Sequence, residues 1–491
     1  MLTNESLQTW FMSLDRRVYA VLIGLLIGAL GAILGVAVAV INPLIVASAI
    51  IGILAGLYVI TSVSAALYLL IFVLMLLPFA TLPFSIGFRP TFLDVAIGGF
   101  IVVYLAQWMT GKRQRIQLTP IHPLIALYIL WLLLAFALGL QWGAPTANVI
   151  RQFAETLLSI SLTFIFVDLL RDRQTLRRLV LVVIILVGLQ AVITLVLYAL
   201  PNTLAEQILG ALSRIGYPNA GIIRYIESNP ALAERAIGTW VDPNTLGGAL
   251  AIAASMIAPQ VFAQRPVLRY RFLTFLVLAF VGIALFLTYS RTSMAAFGFG
   301  LLLIALARYR RFIPILVLAV GLIFLLPQTQ GYVERFLDAF TGGDLATQMR
   351  IGEYTDSLRL ISEFPVFGVG FTGTPRIGLY TSVASMYLIM ANQIGLVGVA
   401  IYVTTMLAIL IYGFRAWRYA KHDPELDAIH LGYHVALVTA LINGIADLYY
   451  FRFDFHASIT LFWITAALAL TSSRLIMAQA ANQLKTPVLD H

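Results

Sequence analysis

Long apolar runs alternate with short polar breaks along the chain, at about 18–40, 43–60, 62–80, 92–109, 122–141, 149–170, 178–200, 244–263, 271–288, 293–308, 312–327, 384–413, 428–448 and 454–473. Many of these runs approach the roughly 20 residues that span about 30 Å of hydrocarbon. Strands of a membrane barrel would instead alternate polar and apolar positions over about ten residues. The pattern therefore predicts an all-α polytopic membrane helix bundle, a single membrane domain over residues 1–491. Only Thr61 and Ser62 separate the second run from the third, so the expected number of transmembrane helices is 12–14.

Two breaks are long, at 201–243 and 328–383. The first holds Arg214, Arg224 and Arg235 with Glu206, Glu227 and Glu234, and closes on GTWVDPNTLGG. The second carries Arg335, Arg350, Arg359 and Arg376, opens on the amphipathic stretch YVERFLDAF and ends in FPVFGVGFTGTP. Within it, Arg350, Tyr354, Ser357 and Leu358 recur at helical spacing, as do Ile351, Leu358 and Ile361, which predicts a surface helix. Pro365 should stop that helix.

Composition agrees with the pattern: 61% of residues are hydrophobic and 11% charged, with a mean hydropathy of +0.94. Soluble domains carry about 25% charge. The net charge of +9 does not indicate a nucleic-acid partner, because the basic residues are dispersed in short loops. With the N-terminus in the cytoplasm, 20 of the 31 basic residues fall in short inward segments, from Arg16 and Arg17 to Arg474 and Lys485. The positive-inside rule then predicts cytoplasmic termini and two extracytoplasmic long loops. The absence of cysteine excludes disulfides, thiolate metal sites and cysteine nucleophiles. The first run follows Asp15, Arg16 and Arg17 without a small-residue cleavage site, so it is expected to remain as an anchor.

Ionisable residues inside the bilayer cost at least ~2.5 kcal/mol at its centre, so their positions inform. Those in the runs lie near boundaries: Asp94, Arg151, Glu155, Asp168, His430, His434, Asp447, Asp454 and His456. An uncharged middle weighs against a proton-coupled carrier. Arg151 with Glu155, and Asp168 with Arg171, read as local pairs. Gln190, Asn392 and Gln393 read as interhelical hydrogen-bonding groups.

Candidate chemistry gathers at the outward end. Arg291, in the turn TYSRTS, must sit at the membrane interface, where its planar fork of donors suits a phosphate or diphosphate. Snorkelling is the structural alternative. Arg350 and the glycines Gly368, Gly370 and Gly373 suggest close backbone approach to an anion, or a turn re-entering the membrane. Asp242, Pro243 and Asn244 read first as a helix cap.

The order of DPNTLG, LTYSRTS, RIGEY, FPVFGVGF and MYLIMANQIGLVG over residues 238–400 resembles the O-antigen ligase and O-antigen polymerase superfamily. The resemblance implies a metal-independent membrane glycosyltransferase with no cofactor, acting on the extracytoplasmic face of the bacterial inner membrane. Its donor would be a polyprenyl-diphosphate-linked oligosaccharide, typically on undecaprenyl diphosphate. The acceptor would be a glycolipid, a glycan or a protein hydroxyl, and other polysaccharide-assembly proteins are implied as partners. Arg291 and Arg350 would hold the diphosphate, with Gly368, Gly370, Arg376 and Asn244 as further substrate contacts. Where ligases of this superfamily carry a His-Asn pair, this chain reads Ala384 and Ser385. That departure favours a polymerase-like or divergent exopolysaccharide member and leaves the general base unassigned, with Glu353, Asp242 and His456 as candidates by their expected place near the outer face. The competing readings are a flippase for lipid-linked oligosaccharide and an inactive scaffold of an assembly complex.

Overall fold

The computed structural model describes residues 58–219, 221–325, 345–373 and 383–485, with Val18, Val21, Gly28, Ala32 and Gly56 as isolated positions. Most of the first two expected spans, the stretch YVERFLDAF with Arg335, and Arg376 lie outside the described residues. The chain divides into two compact units, Met1–Ala66 and Leu67–His491, and every site residue discussed below belongs to the second.

Helices form nearly all of the described structure. In chain order they are α1 (Val63–Leu76), α2 (Phe92–Met109), α3 (His122–Gly139), α4 (Ala147–Leu169), α5 (Arg173–Ala199), α6 (Asn202–Ala211) and α7 (Pro243–Phe262). They continue with α8 (Arg271–Leu287), α9 (Arg291–Arg308), α10 (Ile313–Leu325), α11 (Leu345–Glu363), α12 (Met386–Ala420), α13 (Asp427–Ala446) and α14 (His456–Lys485). Among the described residues nine helices are long and apolar enough to cross a membrane, namely α2 to α5, α7, α9 and α12 to α14, while α1 and α8 are shorter apolar helices. The chain is an integral membrane protein. Hydrocarbon offers backbone groups no partners, and a helix satisfies them internally.

Polar residues set where the helices begin. Thr91 and Asp94 form a reciprocal capping box at α2, and Asp172 accepts from the Thr175 amide to start α5. Such caps satisfy amides that the first turn leaves open. The connection before α7 carries the only described strands, β1 (Arg224–Tyr225) and β2 (Glu234–Arg235), paired antiparallel.

The core is built on α7, α13 and α14, the helices most enclosed by their neighbours. Helix α7 is rich in glycine and alanine, which lets backbones approach closely where lipid supplies no hydrophobic drive between helices. Gly432 of α13 shows how close: a Cβ there would stand 2.5 Å from the Met256 carbonyl oxygen. Hydroxyl pairs also cross helix interfaces, Ser255 to Thr439 at 2.9 Å between α7 and α13 and Ser159 to Thr460 at 2.8 Å between α4 and α14.

The helices α2, α5, α7 and α12 fix two polar ends. At one end the arginines are paired: Arg113 and Arg171 to Asp168, Arg173 to Asp423, Arg265 to Glu425 and Arg308 to Asp427. Asp168 is more than the boundary partner of Arg171, since it also accepts from Tyr104 and the Gln117 amide. The opposite end holds the starts of α7, α9 and α12.

Helix α12 runs through Ala420, past the expected limit at residue 413, and is broken near its start. Gly395 takes φ +68°, and the break leaves the Asn392 and Gln393 carbonyls to accept from Val369 at 2.8 Å and Gly370 at 2.9 Å. Leu396 donates in turn to the Pro365 carbonyl at 2.7 Å. The glycine-rich run is thereby clamped to the break.

Candidate functional site

Three helix starts meet at the end opposite the paired arginines. At α7, Asp242 follows Val241, which is held at φ +61°, and Pro243 occupies the first helical position. The Asp242 Oδ1 accepts from the Asn244 and Thr245 amides at 3.0 and 2.8 Å, so this carboxylate caps the helix. Asn244 accepts through Oδ1 from Arg235 at 2.6 Å, and Arg235 also donates to the Thr288 carbonyl at 2.8 Å. The loop before α7 is thus tied to the turn that joins α8 and α9.

That turn is compact. Tyr289 has φ +53°, and Ser290 bonds the Ser293 hydroxyl at 2.8 Å and makes no side-chain cap, so α9 opens on Arg291. Gly247 permits the crossing with α7, because a Cβ there would lie 2.8 Å from that of Ser290. Arg291 is half-buried at the first position of α9. Helix starts carry partial positive charge from unbonded amides, which adds to that of the arginines.

Helix α11 brings Arg350 to the same place. It ends at Glu363, ahead of Pro365, as its sequence predicts. Glu353 accepts from the Ala384 amide at 3.0 Å, and the Tyr354 hydroxyl donates to the Ala384 carbonyl at 3.2 Å. The position at which the resemblance expects a histidine is therefore gripped from both sides by α11. Ser357 donates to Asn392 Oδ1 at 3.0 Å and fixes α11 against the start of α12.

Asp447 completes the group, and sequence reasoning passed over it as a boundary residue. Helix α13 ends at Ala446, so Asp447 falls outside the span in the turn towards α14. Its carbonyl accepts from the Met386 amide at 2.8 Å, which joins it to the start of α12. Its side chain is 4% exposed, and Oδ2 has no hydrogen-bond partner among the described residues. Burial pushes its pKa up to about 7; the charges of Arg350 and Arg235 oppose the shift and that of Asp242 adds to it. Tyr450, whose buried hydroxyl also lacks a partner, approaches α7 where Gly248 leaves room.

The structure thus brings together Arg350, Glu353, Asp242, Asn244 and Asp447, with Arg291 at the adjoining helix start. His456 belongs to another cluster: its Nε2 lies 3.6 Å from Glu155, whose other oxygen pairs with Arg151 at 3.1 Å, and Arg151 pairs with Asp94 at 2.8 Å. Gly368 and Gly370 donate their amides to the Phe364 and Gln393 carbonyls. A Cβ on Gly368 would stand 2.6 Å from the Asn392 carbonyl oxygen, which gives that glycine a packing reason of its own.

The fold defines a polytopic helical membrane protein, one end of which gathers arginines and carboxylates at helix starts. Residues 274–403 match the family model described as O-Antigen ligase, and the match supports similarity to the O-antigen ligase and polymerase superfamily. The matched stretch carries Arg291, Arg350 and Glu353 and ends within α12; Asp242, Asn244, Asp447 and His456 lie outside it. No curated protein matches the chain. The family match supports a membrane glycosyltransferase of the ligase or polymerase type.

Proposed function

We propose that the protein transfers a glycan from a polyprenyl diphosphate to an acceptor hydroxyl, at a site on the extracytoplasmic face of the bacterial inner membrane. The observation that carries this reading is the buried carboxyl of Asp447, its Oδ2 without a hydrogen-bond partner among the described residues, lying in the field of Arg350 at the starts of α7 and α12. Arg350 and Arg291 hold the diphosphate. Asp447, poised near neutral pH, takes the proton from the acceptor hydroxyl, as suits a general base. The freed oxygen attacks the anomeric carbon while the bond from that carbon to the diphosphate oxygen breaks. Polyprenyl diphosphate leaves with the electron pair. Charge grows on the leaving oxygens as the bond breaks, and fixed cations act most strongly there.

Glu353 and Asp242 have positioning roles in this scheme, one setting Ala384 and the other the first turn of α7. Asn244 orients Arg235, while Gly368 and Gly370 shape the loop beside the site. Arg376 remains proposed as a further diphosphate contact on sequence grounds. The acceptor is a growing glycan, as the Ala384 and Ser385 departure favours.

The test is conversion of an undecaprenyl-diphosphate-linked oligosaccharide by the purified chain in lipid, followed by mass analysis. Longer glycans with stoichiometric release of carrier are expected, with the same yield in EDTA. An intact donor with lipid, glycan and protein acceptors alike would overturn the enzyme reading. Appearance of that intact donor in the opposite leaflet would establish a flippase instead.

A further inference from the structure

A cavity of about 290 Å³ lies between the glycine-rich run and the broken start of α12. Its walls are Leu360, the backbone from Val369 to Gly373, Asn392 and Gln393. The volume far exceeds the ~10–15 Å³ that admits a single water. None of the described lining residues is charged.

Two amide side chains give the cavity its chemistry. Asn392 is 2% exposed; its Oδ1 accepts from Ser357, and its Nδ2 has no partner among the described residues. Leaving a buried donor unpaired is costly, and because Asn392 lines the cavity, a modest turn of its side chain would offer Nδ2 to an accepting group there. Gln393, half-buried one residue on, lends its carbonyl to Gly370 but makes no side-chain hydrogen bond among the described residues. Neutral amides offer donors and acceptors together, which match hydroxyl and acetamido groups. A phosphate would call for cations.

Placement ties the cavity to the diphosphate. Arg350, Tyr354, Ser357 and Leu360 follow one another along one face of α11, from Asp447 to the cavity wall. Ten helical residues cover about 15 Å. That is further than a single sugar ring reaches.

We infer that this cavity is a sugar-binding subsite that receives a residue of the donor glycan beyond the one undergoing transfer, while the diphosphate rests at Arg350. The inference depends on the diphosphate reading above. Gln393 and Asn392 read the hydroxyl pattern of that residue and so hold the chain to one repeat unit.

The test measures binding to the full chain in lipid nanodiscs. One probe is bare undecaprenyl diphosphate; the other is the same carrier loaded with glycan, extracted from the membranes of the cells that make the protein. Wild type is expected to prefer the loaded carrier by about tenfold, the scale of one good polar contact. Gln393→Leu should erase that preference to within about twofold while binding bare carrier normally. A full preference retained by Gln393→Leu overturns the subsite. If Gln393→Leu loses bare carrier too, the loaded-to-bare ratio of Gln393→Asn decides, and an unchanged ratio overturns it. Arg350→Ala should weaken both carriers alike; unaltered binding of both by that variant refutes the diphosphate reading while the ratio in Gln393→Leu still judges the cavity.

Discussion

Asp447 concentrates the conflict that the fold imposes at single residues. A carboxyl held at 4% exposure keeps its proton up to about pH 7, whereas an ordinary aspartate titrates at 3.8. The folded chain therefore binds more protons than the unfolded chain between those values, and stability falls as pH rises through that window. Asp447→Asn should remove the penalty, raising stability at pH 8 by up to about 4 kcal/mol. The same variant should lose product by about 10²-fold or more if Asp447 is the base. Wild-type turnover should climb as pH rises through about 7, as the carboxyl ionises, then level off. Thermal melts and a pH–rate profile check the pair of effects, and a stable variant with full activity would remove the base assignment. Arg291→Ala and Arg350→Ala should each cost about 10²–10³ in rate with insertion intact, and lysine should rescue poorly because the bidentate fork is lost. In the sequence Arg291 stands out as a cation in a turn between apolar runs, and Arg350 as one of four arginines in the second long loop. Asp447 does not, since its setting comes from Met386, Arg350, Asp242 and Arg235, residues remote in sequence that no local pattern reveals.

At the scale of elements, apolar runs of the right length announced most helices, and Pro365 announced the end of α11. The break in α12 was hidden, because IGLVG inside a hydrophobic run reads as unbroken helix. It exists through tertiary contact: Pro365 and Val369 to Gly370 supply the partners that the helix gives up at Asn392 to Leu396. Gly395 is indispensable to it, with φ +68° and a Cβ position 2.1 Å from the Val366 carbonyl oxygen. Gly395→Ala should therefore cost at least ~2 kcal/mol and open the cavity wall, since both positive φ and backbone overlap penalise the methyl. A melting temperature equal to that of wild type would show that α12 can relax around it. The first long loop shows the same limit. Its glutamates and arginines were plain, but the tie from Arg235 to Asn244 and Thr288 depends on how β2 lies over the turn into α9.

Over the whole molecule, charge is divided between two ends of unlike character. One end pairs its arginines with Asp168, Asp423, Glu425 and Asp427; the other holds the pairs of Arg151 with Asp94 and Glu155 and, beside them, the helix starts around Arg350 and Asp447. Ion pairs at a boundary satisfy both charges and leave nothing for a ligand. At the other end the Oδ2 of Asp447 and the hydroxyl of Tyr450, without partners among the described residues, leave polar capacity open. This asymmetry fits a site served from one side of the membrane, and the basic loops predict that the side is extracytoplasmic. Because the chain has no cysteine, single substitutions can report the topology without a background. Glu206→Cys, exposed on α6, should react with an impermeant maleimide in intact inner-membrane spheroplasts. Lys112→Cys, exposed in the turn after α2, should react only after the membrane is permeabilised. The reverse pattern would turn the Asp447 end towards the cytoplasm. Donor glycan would then reach the site only from the inner leaflet, and an extracytoplasmic transferase would be untenable whatever the chemistry of the arginines.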